Sequence, residues 1–378
     1  MGRNERSDRL SRRDFLRTVS MAAAGAAVLP LAGRAIGAES LTVNGLPATV
    51  LGRTGLKVTK ISFGGIMASD PPLLLKVLDE GINFIHTSPG YQNGRSIRAF
   101  GEVLKQSSVR DKVVLALKAL PHELDDSLRL LKTDYADILV PPFNNTRGIS
   151  DPSLKESFDA VKQAGKAGFL GWAGHNRMDE TLNRARELGY FDATLISYAN
   201  VDDPKFLEAA RKANEAGMGI FTMKGLPRRD ATGATEEERR TVESLCGSMV
   251  NQQYAHSVLA TMGSFQSVDF YSGILKNKLS YYNRELEERH LAGLEGSYCS
   301  MCGACTGVCP EAATIPRVLR YRMYHIDYGL TDYARSKYSA LNGGARRISP
   351  GTLERAESVC RRKLPLREML AEADQLLA

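Results

Sequence analysis

The sequence predicts an α/β protein: a closed (β/α)8 barrel of the TIM type, followed by a small helical C-terminal domain. Three observations predict it. Short β-rich apolar runs alternate with helical periodicity between residues 48 and 290, no G-x-G-x-x-G follows the first run, and five of the six cysteines lie beyond residue 296. The alternation implies a parallel sheet, and the missing glycine pattern argues against an open doubly wound one. At 378 residues, 43% hydrophobic and 25% charged, the chain has the composition of a soluble globular protein with one large domain and a smaller one.

Residues 1–38 read as a leader. Ser11-Arg12-Arg13-Asp14-Phe15-Leu16-Arg17 precedes a weakly apolar stretch from Val19 to Gly33, interrupted by Pro30 and short of the length that spans a bilayer. The paired arginines followed by Phe-Leu resemble the twin-arginine export signature, which implies a folded cargo, the twin-arginine export machinery as a partner and a periplasmic location. Cleavage is expected after Ala38, although Ile36 occupies a position that prefers a small residue, and a retained leader would tether the protein to a membrane. This segment holds seven arginines against Glu5, Asp8 and Asp14 and so carries more than half of the net charge of +7. The later basic pairs Arg228-Arg229 and Arg346-Arg347 are scattered and lack interleaved aromatics, so no nucleic-acid partner is expected.

The barrel is assigned to residues 48–290. Its eight expected strands are Val58–Gly65, Ile82–Ser88, Lys112–Ala119, Ala136–Phe143, Phe169–His175, Ala193–Asn200, Gly219–Gly225 and Ser267–Gly273, with amphipathic stretches such as Pro71–Glu80 and Pro204–Ala216 between them. Chemistry in such barrels sits where strands end and loops begin. That geometry selects His86, Tyr91, Lys118, Pro142, His175, Asn176, Asn200 and Lys224 for the mouth.

Leu51-Gly52-Arg53-Thr54-Gly55-Leu56, Ile61-Ser62-Phe63-Gly64-Gly65 and the run from Ile82 through Tyr91, followed by Asn93-Gly94-Arg95-Ser96, resemble the aldo/keto reductase family. The resemblance implies carbonyl reduction of a small-molecule substrate with NAD(P)H. It assigns Tyr91 as general acid and Lys118 as the cation that lowers its pKa, a pairing a phenol with an ordinary pKa of about 10 requires near neutrality. Where the family has Asp this chain has His86, and where it has His this chain has Pro142. His86 is therefore a candidate for proton transfer, with an unperturbed pKa of about 6.5, and His175 is a second candidate beside the nicotinamide. For the cofactor, Asn200 and Lys224 are candidates at the mouth. Gly273, Lys276 and Asn283 resemble the phosphate and adenine segment, although Lys276 is displaced by one position and weakens the case for NADP.

Cys299-x2-Cys302-x2-Cys305-x3-Cys309-Pro310 reproduces the bacterial ferredoxin run. The domain from 296 to 378 is accordingly expected to be a ferredoxin-like module with one [4Fe-4S] cluster held by Cys299, Cys302 and Cys305. The fourth ligand is Cys360 or Cys309; a weak echo between the residues after each cysteine slightly favours Cys360. Zinc usually takes two separated pairs, and cysteines this close in sequence do not readily form disulfides with one another. The expected function is an exported oxidoreductase whose cluster exchanges electrons with a nicotinamide or substrate in the barrel mouth, with a redox partner protein or the quinone pool beyond it. The alternative is an electron-transfer or binding protein whose barrel has lost reductase chemistry.

Overall fold

The computed structural model describes residues 41–143, 145–197, 203–226, 233–251, 255–277, 279, 281–341 and 348–378. The expected leader, residues 1–38, and Asn200 lie outside them. A three-stranded antiparallel sheet, β1 (Thr42–Val43), β2 (Leu46–Val50) and β3 (Lys57–Thr59), opens the described chain. Eight parallel strands then close on themselves: β4 (Ile61–Gly64), β5 (Phe84–Thr87), β6 (Val114–Leu117), β7 (Ala136–Leu139), β8 (Ala167–Gly174), β9 (Ala193–Ser197), β10 (Gly219–Met223) and β11 (Ser257–Thr261). Each is followed by a helix: α1 (Pro71–Asp79), α2 (Arg95–Leu104), α3 (Leu124–Leu131), α4 (Pro152–Gln163), α5 (Met178–Leu188), α6 (Pro204–Glu215), α7 (Glu236–Asn251) and α8 (Phe265–Lys276).

Side chains alternate along the strands and divide into two cores. Inside the barrel, Phe84, Val114, Ile138, Leu195 and Phe221 pack together, and Leu51, Leu56 and Val58 from the opening segment join them and plug one end. Between strands and helices lies the larger layer containing Phe63, Phe100, Leu115, Trp172 and Ile220. The layers fit closely: a Cβ added at Gly101 of α2 would lie 2.2 Å from the Leu130 carbonyl of α3.

The end that the opening segment plugs also holds a buried ion pair. Arg110 and Asp137 meet at 2.9 Å with side chains 4% and 0% exposed. Asp137 also accepts the Leu115 amide, while Arg110 donates to the carbonyls of Val113 and Tyr135 and stacks 3.7 Å over the Tyr135 ring. Each charge is thus hydrogen-bonded as well as paired, as burial requires.

The eighth strand corrects the sequence expectation. Ser267–Gly273 lies within α8, whose N-cap Ser264 accepts from the Ser267 amide, and the strand is β11, ten residues earlier at its start. Val268, Tyr271, Ile274 and Leu275 recur at helical spacing and are buried against the barrel, whereas β11 is a five-residue run paired on both sides. A short apolar run does not by itself distinguish strand from helix.

After α9 (Arg284–Gly293) come α10 (Ile315–Ile326), α11 (Thr331–Ser339), α12 (Pro350–Ser358) and α13 (Leu366–Leu377). Tyr298, Tyr321, Tyr324, Tyr333 and Tyr338 form their core with Val318 and Leu377, and Ile66 of the barrel packs against it. The C-terminal helices therefore sit over the barrel mouth. Among the described residues no helix is long and apolar enough to cross a membrane.

Candidate active site at the barrel mouth

β5 and β6 place the first three groups. His86 pairs with Gly64 on one side and Ala116 on the other, so its ring enters the mouth from mid-sheet. Lys118 follows the end of β6, its amide bonded to the Thr87 carbonyl at 2.9 Å and its carbonyl accepting from Ser88 Oγ at 2.8 Å. Tyr91 begins a short turn held by its own amide to the Ser88 carbonyl and by Gln92 Nε2 to the Ile66 carbonyl, with Gln92 and Asn93 at positive φ.

Lys118 Nζ lies 3.5 Å from Tyr91 Oη and 5.0 Å from the ring centroid. The His86 and Tyr91 rings meet edge-on at 5.7 Å. With His175 after β8 and Lys224 after β10 they line one cavity of about 40 Å³, roofed by Tyr324 and Tyr328. Both His86 nitrogens are buried without a hydrogen-bond partner.

The electrostatics differ from the simple expectation. Burial, then the Lys118 charge, pushes His86 down to about 3, so it stays neutral at physiological pH and does not titrate near 6.5. Burial, then the charges of Arg320 and Lys337, lowers Lys118 to about 7. Burial, then the neighbouring tyrosines Tyr324, Tyr333 and Tyr328, raises Tyr91 well above its ordinary value, opposite to the lowering expected from Lys118. The cause is the roof: it removes water from the phenol and adds groups that oppose a phenolate. His175 is held well below its usual value by burial, then by Lys224. Tyr91 is therefore a firmly neutral donor and Lys118 the group that titrates near neutrality.

Pro142 is exposed, forms an isolated bridge to Ala173 and does not line the cavity. The residues expected to hold phosphate and adenine lie elsewhere. Gly273 and Lys276 are in α8, where Lys276 pairs with Glu80 at 2.6 Å, and Asn283 caps α9 by accepting from the Glu285 and Leu286 amides. None of the three lines the mouth cavity. A larger cleft of about 1090 Å³ adjoins the mouth between α7, α9 and α10, lined by Lys224, Thr235, Thr241, Arg289 and His290 among others. Lys224 borders both spaces.

The cysteines converge as a second site. Cys299, Cys302, Cys305 and Cys360 line one small cavity, closed by Ile315, Leu319 and Leu364. The Leu364 amide points at Cys360 Sγ at 3.5 Å, and the Met301 amide faces the Cys299 thiol. Cys309 does not line this cavity; its Sγ lies 3.6 Å from Thr352 Oγ1. Cys246 is buried within α7, apart from the others. Among the described residues no group of three or more His, Cys, Asp or Glu is drawn together as a single metal ion would need.

The cysteine loop docks on the barrel mouth. A Cβ at Gly303, where φ is +83°, would meet Arg177 Cγ at 2.7 Å, so only glycine allows this approach. Met301 is buried with Sδ 3.8 Å from Lys224 Nζ. Arg177, Lys224 and Met301 all adopt positive φ at this seam. Backbone strain of this kind concentrates at functional sites. The sequence did not point to Met301, Arg320, Tyr324 or Tyr328; its only signal was the Tyr- and Arg-rich composition after residue 316.

Comparison with known proteins finds a family similarity over the part of the barrel that carries His86, Tyr91, Lys118 and His175. A profile described as the aldo/keto reductase family matches residues 69–175, from the start of α1 to His175. The aldo-keto reductase YhdN of Bacillus subtilis is 28% identical over 149 residues, covering 30% of this chain and 44% of the relative. An aldo-keto reductase of Gibberella moniliformis is 27% identical over 143 residues, covering 34% and 43%. The chain thus spans less than half the length of these curated relatives. Among solved structures, a Pseudomonas aeruginosa protein described as an aldo-keto reductase superposes with a TM-score of 0.52 at 19% identity, covering 64% of this chain and 100% of that one. The holo form of a Bacillus halodurans aldo-keto reductase gives 0.51 at 20%, covering 66% and 96%. At those identities the structural likeness carries the fold, a (β/α)8 barrel.

Proposed function

We propose that this protein is an oxidoreductase of the aldo/keto reductase type that reduces a carbonyl in the barrel mouth. The carrying observation is the Tyr91 Oη to Lys118 Nζ approach of 3.5 Å within a buried cavity at the strand ends. A substrate carbonyl oxygen set against Tyr91 receives its phenolic proton as the carbon is reduced. Lys118, titrating near 7, stabilises the phenolate and returns a proton to it. His86, held neutral, offers a hydrogen bond without charge. The family implies NAD(P)H, which when bound supplies the hydride. The large cleft has a volume suited to a dinucleotide and presents Lys224 at its inner end. A nicotinamide ring entering the mouth would pass beneath Tyr324 and Tyr328, which roof the cavity.

Four thiols around one cavity, with amides directed at two of the sulfurs, suit a [4Fe-4S] cluster, which is held by four cysteine thiolates. Cys299, Cys302, Cys305 and Cys360 would hold it, and it would supply one-electron transfer. The ferredoxin-like domain, folded export through Arg12-Arg13 to the periplasm and a redox partner belong to the same reading.

Anaerobically purified protein is expected to contain about four irons per chain. Cys360→Ser should lose them and Cys309→Ser should keep them; the reverse result refutes the ligand set. Tyr91→Phe should lower carbonyl reduction by about 10²–10⁴ with iron content unchanged. Full activity in that variant would leave the barrel as an electron-transfer or binding scaffold, the reading that Pro142 and His86 favour.

A further inference from the structure

The closed mouth has an unusual charge balance. No Asp or Glu is among the residues lining its cavity. Lys118 and Lys224 line it, and two further cations, which do not line it, come from the helices above. Arg320 lies one turn before Tyr324 on α10, an i,i+4 spacing that sets both on one face of the helix. Lys337 of α11 lies 5.4 Å over the Tyr333 ring, itself 5.6 Å from Tyr324. Among the described residues, none of Lys118, Arg320 and Lys337 forms an ion pair with a carboxylate, and Arg320 Nε is buried without a partner. His86, 1% exposed and aimed into the cavity, likewise has both nitrogens unsatisfied.

Grouping like charges around a dry cavity is costly unless a counter-charge arrives. We propose that the cavity binds a small oxyanion, with Lys118 of the barrel and Arg320 of the C-terminal helices as its counter-charges and His86 as a neutral hydrogen-bond partner. The roof then acts as part of the site: Tyr324 and Tyr328 close over the anion, and Arg320 arrives on the same helix. The cavity volume limits the closed state to a ligand of a few heavy atoms, which fits a short carboxylate carrying the reducible carbonyl, a 2-oxo acid. Lys118 and His175 are lowered first by burial and then by neighbouring cations, Arg320 among them, in agreement with a pocket poor in negative charge.

The inference takes its location from the proposed reactive pocket, but binding is measured without turnover, so its failure and the failure of the reductase reading are separable. The intact protein is titrated calorimetrically with sodium pyruvate, inorganic phosphate and, as an uncharged counterpart, acetone. Pyruvate is expected to bind and acetone not. Arg320→Gln should weaken pyruvate by about tenfold or more, the loss of one charge-assisted contact, and Arg320→Lys should recover part of it. Lys337→Gln, at a more peripheral site, should weaken it less, and covers the case in which Arg320→Gln fails to fold. Phosphate binding in place of pyruvate, with the same Arg320 dependence, supports the oxyanion pocket and assigns it an inorganic ligand. Equal affinity for acetone and pyruvate, or pyruvate affinity unchanged in both Arg320→Gln and Lys337→Gln, overturns the proposal.

Discussion

β6 carries buried charge at both of its ends, and the two ends are built on opposite principles. Before its first residue, Arg110 is matched to the opposite charge of Asp137 and to two carbonyls. After its last residue, Lys118 has Tyr91 as its hydrogen-bond partner and faces further cations. The first arrangement stabilises the fold and is closed to chemistry. The second is tolerated because the rest of the barrel holds it, and a ligand or proton can relieve it. Burial alone therefore does not mark a functional ion; the absence of a counter-charge does.

The comparison predicts the largest effect at the matched end. Asp137→Ala leaves Arg110 buried and uncompensated, so stability should fall by about 3–5 kcal/mol in chemical denaturation. A loss under 1 kcal/mol would show that the pair is replaceable and erase the distinction between the ends.

At the unmatched end the sign reverses. The folded pKa of Lys118 is lowered from 10.5 to about 7, so between those values the unfolded chain binds more protons than the folded one. The group's destabilisation is complete below pH 7 and is relieved as pH rises toward 10.5. Lys118→Met should therefore be as stable as the parent or more so at pH 7, and the stability difference between the two should shrink as pH rises. The same substitution should depress carbonyl reduction. A Lys118→Met protein clearly less stable at pH 7 would mean that this lysine is structural.

The smallest effect is expected at Lys276. Its partner Glu80 is also held by Lys76, and Lys276 itself is largely exposed. Lys276→Ala should cost about 0–1 kcal/mol and leave NADPH affinity, measured by fluorescence titration, unchanged. A marked loss of NADPH affinity would restore this lysine to the cofactor site.

What the sequence by itself determined is local. Period-two and period-3.6 patterns placed seven of the eight barrel strands, because an apolar run between turn residues carries its own signature. His86, Tyr91, Lys118, His175 and Lys224 were legible for the same reason: each falls where such a run ends. The cysteine triplet was legible from spacing alone. Where the local signal was ambiguous, at Ser267–Gly273, a helix was read as a strand. Only the tertiary structure showed that Cys360, and not Cys309, lines one cavity with Cys299, Cys302 and Cys305, since the separation of 55 residues between Cys305 and Cys360 is bridged by packed helices and not by a motif. It also decided the protonation of the mouth. The pKa directions of His86, Tyr91 and Lys118 follow from a roof supplied more than 200 residues later in the chain, and burial by a distant segment leaves no periodic trace in the residues it covers.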